Sequence, residues 1–292
     1  MLQFLQNNFF KRFLSTITLG ITCVCFILFK DNIISTLMFL LIVAILSIIS
    51  IYEFSSMLKK IHKNILCIEV QLFSLFFIFS TLIDSLDLFK QYDIRFFVII
   101  VFVIFCWLRI LFANESQITI ERIAWSVLTI FLITIPLSFI VSIYMYDNVF
   151  FGNDIYLFLF FIIVVKSSDI GGYLFGNLSN VLMNGNHKIF SKLSPKKSIE
   201  GIIGSLALSL FFSLIVGVSV VDFDILYLIL IGITMCVCSI TGDLLISAIK
   251  RITNCKQSGF LIPGIGGVLD LLDSFIIAAP AFYFLCKYLL LY

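Results

Sequence analysis

ILYLILIGITMCVCSIT, residues 225–241, runs seventeen positions without a charge and leads directly into GDLLISAIKRITNCKQSGFLIPGIGGVLDLLDS, residues 242–274. The first part has the length and apolarity of a helix crossing about 30 Å of hydrocarbon at roughly 1.5 Å per residue. The second holds three carboxylates (Asp243, Asp270, Asp273), three cations (Lys250, Arg251, Lys256) and five glycines, and another apolar run, 275–292, follows it. Ionisable groups at a membrane's edge are costly unless they meet one another, water or a charged ligand. This stretch is therefore the candidate functional segment, and the remaining chain reads as its scaffold.

Working outward, the same alternation of long apolar runs and short polar breaks extends over the whole chain. Of 292 residues, 61% are hydrophobic, 34 are phenylalanine and only 12% are charged, a composition that excludes a soluble domain. The apolar runs mostly last 16 to 23 residues, too long for the strands of a membrane barrel. The expected fold is all-α, a polytopic membrane protein of about nine transmembrane helices, near 13–29, 33–51, 65–83, 96–113, 123–145, 155–168, 202–221, 225–241 and 275–292. Glu69 and Arg109 interrupt the third and fourth, and the sixth is short, ending at Lys166 to Asp169. No repeat or long linker divides the chain. It reads as a single membrane domain, 1–292, with a helical scaffold over 1–165 and the motifs over 166–292. The N-terminus has no clear cleavage site and is expected to lead into the first span. The eight cysteines lie mostly inside apolar runs and read as small hydrophobes; Cys236 and Cys238, two apart, make a poor metal pair.

The loop charges orient these helices. Lys11 and Arg12, then Lys59, Lys60 and Lys63, Arg122, the Lys188–Lys197 cluster, and Lys250, Arg251 and Lys256 all fall on one side if nine helices cross. The alternate loops carry Asp31, Asp84, Asp87, Asp147, Asp154, Asp222 and Asp224, with Lys30, Lys90 and Arg95 as their cations. The positive-inside rule then places the N-terminus and both motif regions at the cytoplasmic face of the cell's inner membrane. No basic tract resembles a nucleic-acid patch, so no nucleic acid is expected as a partner.

Two regions carry chemistry. In KSSDIGGYLFGN, residues 166–177, Asp169 precedes Gly171, Gly172 and Gly176, which let a backbone or a ligand come close. Ser194-Pro195-Lys196-Lys197-Ser198-Ile199-Glu200-Gly201 then opens a helix whose first N–H groups, with Lys196 and Lys197, suit an anion such as phosphate; Ser194, Ser198 and Glu200 are good first-turn residues. In the second region Asp243, Ser247 and Lys250 stand at i, i+4 and i+7 on one helical face, with Arg251 beside them. Pro263-Gly264-Ile265-Gly266-Gly267 breaks that helix and delivers the chain to Asp270 and Asp273, three apart and expected on one face of the next. Paired carboxylates suit a hard cation such as Mg²⁺, which keeps its other positions for water and substrate phosphates. Phosphoryl or nucleotidyl transfer needs such parts, because its burden is positioning and charge neutralisation. Taken singly, each lysine also reads as a topology signal and each aspartate as an interfacial cap.

At these residues the chain resembles the phosphatidate cytidylyltransferase (CDP-diacylglycerol synthase) family. Ser247, Lys250, Arg251, Lys256, Gly259, Pro263, Gly264, Gly266, Gly267, Asp270 and Asp273 match its C-terminal signature in register over 27 residues. Ser168-Asp169 with Gly172-Tyr173 and Gly176, and SPKKSIEG, form a second match. Lys11-Arg12 with Ser15 and Tyr52-Glu53-Phe54 are fainter echoes. Gln257 stands where the family has an aspartate, Ile265 where it has a histidine and Leu271 where it has an arginine; Ser198 and Ile199 replace threonine and tryptophan.

The resemblance implies an enzyme that joins CTP and phosphatidate into CDP-diacylglycerol and pyrophosphate. It implies Mg²⁺ as cofactor, leaving a second cation open, with membrane lipids around the site and a homodimer as the assembly. Carried over, Asp169, Asp243, Asp270 and Asp273 hold metal; Asp243, Lys250, Arg251, Asp270 and Asp273 are catalytic. Ser194, Lys196, Lys197, Ser198, Glu200, Ser247, Lys256, Gly266 and Gly267 bind substrate. The alternative is a divergent paralogue acting on another lipid phosphate or nucleotide, or a catalytically silent homologue that binds lipid or a partner. A transporter is disfavoured because charges gather at helix ends rather than helix centres.

Overall fold

The computed structural model describes residues 33–85, 94–113, 116–145, 155–182, 187–189, 194, 197–221, 223–262 and 266–289. The helices are α1 Ile33–Lys59, α2 Cys67–Ser85, α3 Ile94–Leu111, α4 Ser116–Thr129, α5 Ile135–Tyr144, α6 Ile155–Leu182, α7 Ile199–Val220, α8 Ile225–Ile252, α9 Val268–Leu272 and α10 Phe275–Leu289. No strand occurs among the described residues; Lys188 with Ser198 and Ile262 with Gly266 form isolated bridges only. Among the described residues, eight stretches are long and apolar enough to cross a membrane, and they coincide with the second to ninth of the expected spans. The expected first span, 13–29, lies outside the described residues. The all-α polytopic class is thus borne out.

Backbone contacts divide the chain into two compact units. One comprises Met1–Tyr146 and Thr253–Leu271, the other Asp147–Ile252 and Leu272–Tyr292.

In the first unit α2 packs against α1, α3 and α5. Its core includes the fully buried Ile51, Phe54, Val70 and Val141, and Phe39 stacks on Tyr144 with ring centres 4.0 Å apart. Glu69 and Arg109, which break the hydropathy of α2 and α3, answer each other in an ion pair of 2.6 Å. Between α4 and α5 a π-turn spans Ile130–Thr134, with the Ile135 N–H donating to the Ile130 carbonyl, five residues back. Pro136 follows it. A proline without an N–H and with a ring against the preceding turn favours such a local widening.

In the second unit α6 packs on α7, α8 and α10, and α8 on α7 and α10. Phe161 meets Phe282 at 4.9 Å and Phe275 at 5.6 Å, around the fully buried Phe160, Val164 and Val165. Three helices outrun their expected ends, the first being α1, expected to stop at 51 and continuing to Lys59. The sixth was expected to stop at Lys166 to Asp169, but α6 continues to Leu182, and α8 continues past Asp243 to Ile252. The extension of α6 has a packing cause. A Cβ at Gly171 would stand 2.3 Å from the Gly204 carbonyl oxygen, and one at Gly204 would stand 2.3 Å from Phe175 Cβ. Of the two uses foreseen for these glycines, the close neighbour is therefore a backbone, that of α7. Asn254, with φ +52°, turns the chain out of α8 in the left-handed conformation that asparagine tolerates.

Candidate functional site

The second unit gathers acids and lysines from α6, from α8 and from the segments that lead into α7 and α10. Asp169, now in mid-helix on α6, accepts from Lys166 Nζ at 3.0 Å through Oδ2 and from Ser239 Oγ of α8 at 2.7 Å through Oδ1. Asp243 on α8 pairs through Oδ2 with Lys197 Nζ at 2.9 Å, and Ser247 Oγ stands 3.4 Å from its Oδ1. Lys197 also donates to the Ile240 carbonyl at 2.9 Å, so the SPKK segment is fastened to α8 by a side chain. Asp273 lies against α8, since a Cβ at Gly242 would stand 2.3 Å from the Asp273 carbonyl oxygen. Its carboxyl is half-buried and interacts electrostatically with Asp243, Lys166, Asp169 and Lys250. Ser274 links the same place to α6 by accepting from Lys166 Nζ at 2.8 Å. Asp169, Asp243, Asp273, Lys166, Lys197 and Lys250 thus form one electrostatic cluster.

The entry to α7 is built as an N-terminus should be. Ser198 is extended, with φ −121° and ψ 163°, and its Oγ accepts from the Gly201 N–H. Glu200 turns back, accepting from the His187 N–H at 3.3 Å and pairing with His187 Nδ1 at 2.8 Å. Ser194 closes the segment through its carbonyl, which accepts from the Lys197 N–H at 3.1 Å. These contacts assign Ser194, Ser198 and Glu200 to holding the turn that presents Lys197. Lys196 lies outside the described residues, as do Pro263, Gly264 and Ile265. Lys250 and Arg251 occupy the last turn of α8.

The first unit holds the other half of the signature, folded around an acid from α1. Glu53 is buried, and its Oε1 accepts from the Val268 N–H while Oε2 accepts from the Leu269 N–H and Ser258 Oγ, all at 3.0 Å. A Cβ on Gly267 or on Gly259 would come within 2.3 Å of this carboxyl. Gly267 is therefore small to admit Glu53. Asp270 binds the same loop from within, its Oδ2 accepting from the Ser258 N–H at 2.9 Å and the Gly267 N–H at 3.1 Å. Gly266, with φ +126°, closes the turn by exchanging two backbone hydrogen bonds with Ile262. A Cβ there would approach Gln257 and Asp270. Lys256 is exposed on this loop.

The expected single helical face for Asp270 and Asp273 is corrected here. α9 ends at Leu272, Asp273 lies in the turn before α10 with its Oδ1 accepting from the Ser274 N–H, and the two acids belong to different units. Sequence reasoning assigned no role to Lys166, and saw in Glu53 only a faint echo. The signal for both is an ionisable residue at the end of an apolar run.

Among the described residues no three His, Cys, Asp or Glu side chains converge closely enough to enclose a metal ion. The donor set of the second unit nevertheless fits Mg²⁺, which binds through one or two carboxylates and completes its shell with water and phosphate oxygens. Asp169, Asp243 and Asp273 are the residues that could hold it.

Sequence comparison relates the chain to known proteins. A stretch of the Escherichia coli (strain K12) uncharacterized protein YnbB is 37% identical over 132 residues, 45% of this chain and 43% of that one. Phosphatidate cytidylyltransferases of Staphylococcus aureus (strain COL) and Staphylococcus haemolyticus (strain JCSC1435) are each 39% identical, over 134 and 131 residues, covering 44% of this chain and 48% of theirs. The matched stretch spans about half the length of these curated relatives. A family model, described as the cytidylyltransferase family, matches residues 10–289, and by that match over nearly its whole length the chain belongs to the cytidylyltransferase family.

Proposed function

We propose that this protein transfers a cytidylyl group from CTP to phosphatidate, at the cytoplasmic face of the inner membrane. The observation that carries the reading is the cluster in the second unit, where Asp169, Asp243 and Asp273 meet Lys166, Lys197 and Lys250. A phosphate oxygen of phosphatidate attacks the α-phosphorus of CTP; a new P–O bond forms, the α–β bridging P–O bond breaks, and pyrophosphate leaves with that electron pair. When bound, Mg²⁺ supplies charge neutralisation on the triphosphate and polarises the group under attack. Lys197 and Lys250, with Arg251, bring cations to the phosphate oxygens on which charge builds. The attacking phosphate monoester is already largely ionised near neutral pH, its second pKa being about 6, so the chain need supply no strong base. Asp270 and Glu53 hold the glycine loop in shape and act as positioning residues.

Purified protein should convert phosphatidate to CDP-diacylglycerol only with both CTP and Mg²⁺. Asp243→Asn and Asp273→Asn should lower kcat by at least about a hundredfold, in line with removal of one preorganised electrostatic group. An Asp273→Asn enzyme as fast as the parent would overturn the assignment.

A second reading, a divergent enzyme for another lipid phosphate or nucleotide, draws support from Gln257. This neutral amide lies beside Gly266, where the resembling family carries a carboxylate. A panel of nucleoside triphosphates against several lipid phosphates distinguishes the two: the first reading expects CTP with phosphatidate to give the highest kcat/KM.

A further inference from the structure

Lys166 sits in mid-α6, one residue after Val164–Val165, which are fully buried. A lysine at such depth needs compensation, and a carboxylate one helical turn away, Asp169, supplies its charge. The structure provides more than that. Ser274 accepts from the same Nζ, and the Phe275 ring centre lies 4.5 Å from it, so carboxylate, hydroxyl and aromatic face converge on one ammonium from α6 and from the start of α10. Asp169 in turn is steadied by Ser239 of α8. This is a built seat for a cation.

Charge explains what such a seat is for. Two of the carboxylates here are already paired with ammonium groups, Asp169 with Lys166 and Asp243 with Lys197. A divalent ion that takes Asp169 Oδ2 meets the Lys166 ammonium on that same oxygen and repels it. The released ammonium, on a flexible stem of four carbons, is then free to turn to the nucleotide's phosphates.

Resting on the reading of this cluster as a metal-assisted nucleotidyl site, we propose that Lys166 is a tethered counter-cation. It competes with the divalent ion for Asp169 and binds nucleotide phosphate once that ion has entered. Its removal then has two effects of opposite sign: metal binds more tightly and nucleotide more weakly. A brace that merely joins α6 to α10 would loosen both or neither.

The test measures Mn²⁺ binding to the full-length protein in detergent by electron paramagnetic resonance, without nucleotide, alongside CTP kinetics at saturating Mg²⁺. Lys166→Met should bind Mn²⁺ about tenfold more tightly or better, since a unit charge near the ion is removed. Its KM for CTP should rise by a similar factor, with kcat changed much less. Lys166→Arg should match the parent in metal affinity. If methionine prevents folding, Lys166→Gln, which keeps a donor for Ser274 and Asp169, should show the same pair of shifts. Mn²⁺ affinity in Lys166→Met or Lys166→Gln equal to or weaker than the parent's overturns the role of Lys166, and if the parent still converts CTP, the proposed function stands. A parent that neither binds Mn²⁺ nor turns over CTP overturns both.

Discussion

At the scale of single residues, Glu53 shows how a buried charge comes to be tolerated. Its two oxygens accept from two backbone N–H groups and one hydroxyl of the signature loop, so three hydrogen bonds stand in for those lost with water. Removing it strands those donors. Glu53→Ala should lower stability by on the order of 3 kcal/mol and open the 253–262 loop to protease. Glu53→Gln, which keeps one acceptor, should cost less. Thermal unfolding in detergent with limited proteolysis measures both; an alanine variant as stable and as resistant as the parent would refute the clamp. Gly267 shows the same contact from the loop's side. The sequence makes the residue types of the loop legible, since Pro and Gly punctuate it and Asp270 follows. It does not reveal what the loop wraps, because Glu53 and Val268 are 215 positions apart and nothing local pairs them.

At the scale of elements, the apolar period makes the spans legible and their polar extensions illegible. Hydropathy stops at Lys166 because charges begin there, yet the α-helix is sustained to Leu182 by small residues on α6 and α7 that let the two backbones touch. The same contact predicts which glycine matters. Gly171→Ala drives a methyl group into the Gly204 carbonyl of α7 and should destabilise by about 2 kcal/mol. At Gly176 an added Cβ finds its nearest neighbours at 3.6 and 3.8 Å, ordinary contact distances, and Gly176→Ala should be close to neutral. Unfolding midpoints of the two variants in one detergent test the contrast; equal losses would mean the helices are not in backbone contact. The π-turn before Pro136 belongs to the same lesson, since a proline announces a disturbance in a helix without saying which kind.

At the scale of the whole molecule, the charge asymmetry between alternate loops predicts a membrane orientation. A cysteine introduced at the exposed Lys256 should react with an impermeant maleimide in inverted membrane vesicles and stay near the parent's background in right-side-out ones. Labelling from the outer face alone would reverse the orientation. Composition alone sufficed for the membrane class, because 61% hydrophobic residues leave no soluble alternative. The motifs sufficed for the family, because the signature residues recur in register over 27 positions. Which acids keep company was not legible: Asp270 and Asp273, neighbours in the sequence, fall in different units, while Asp169 and Ser239, 70 positions apart, share a hydrogen bond. The grip of Glu53 on Ser258, Val268 and Leu269 also bears on inheritance. A graft that took the C-terminal signature from this chain onto another cytidylyltransferase's amino-terminal half would succeed only where the recipient's counterpart of α1 offered an acid at the matching turn, so the two halves of this chain are a matched pair.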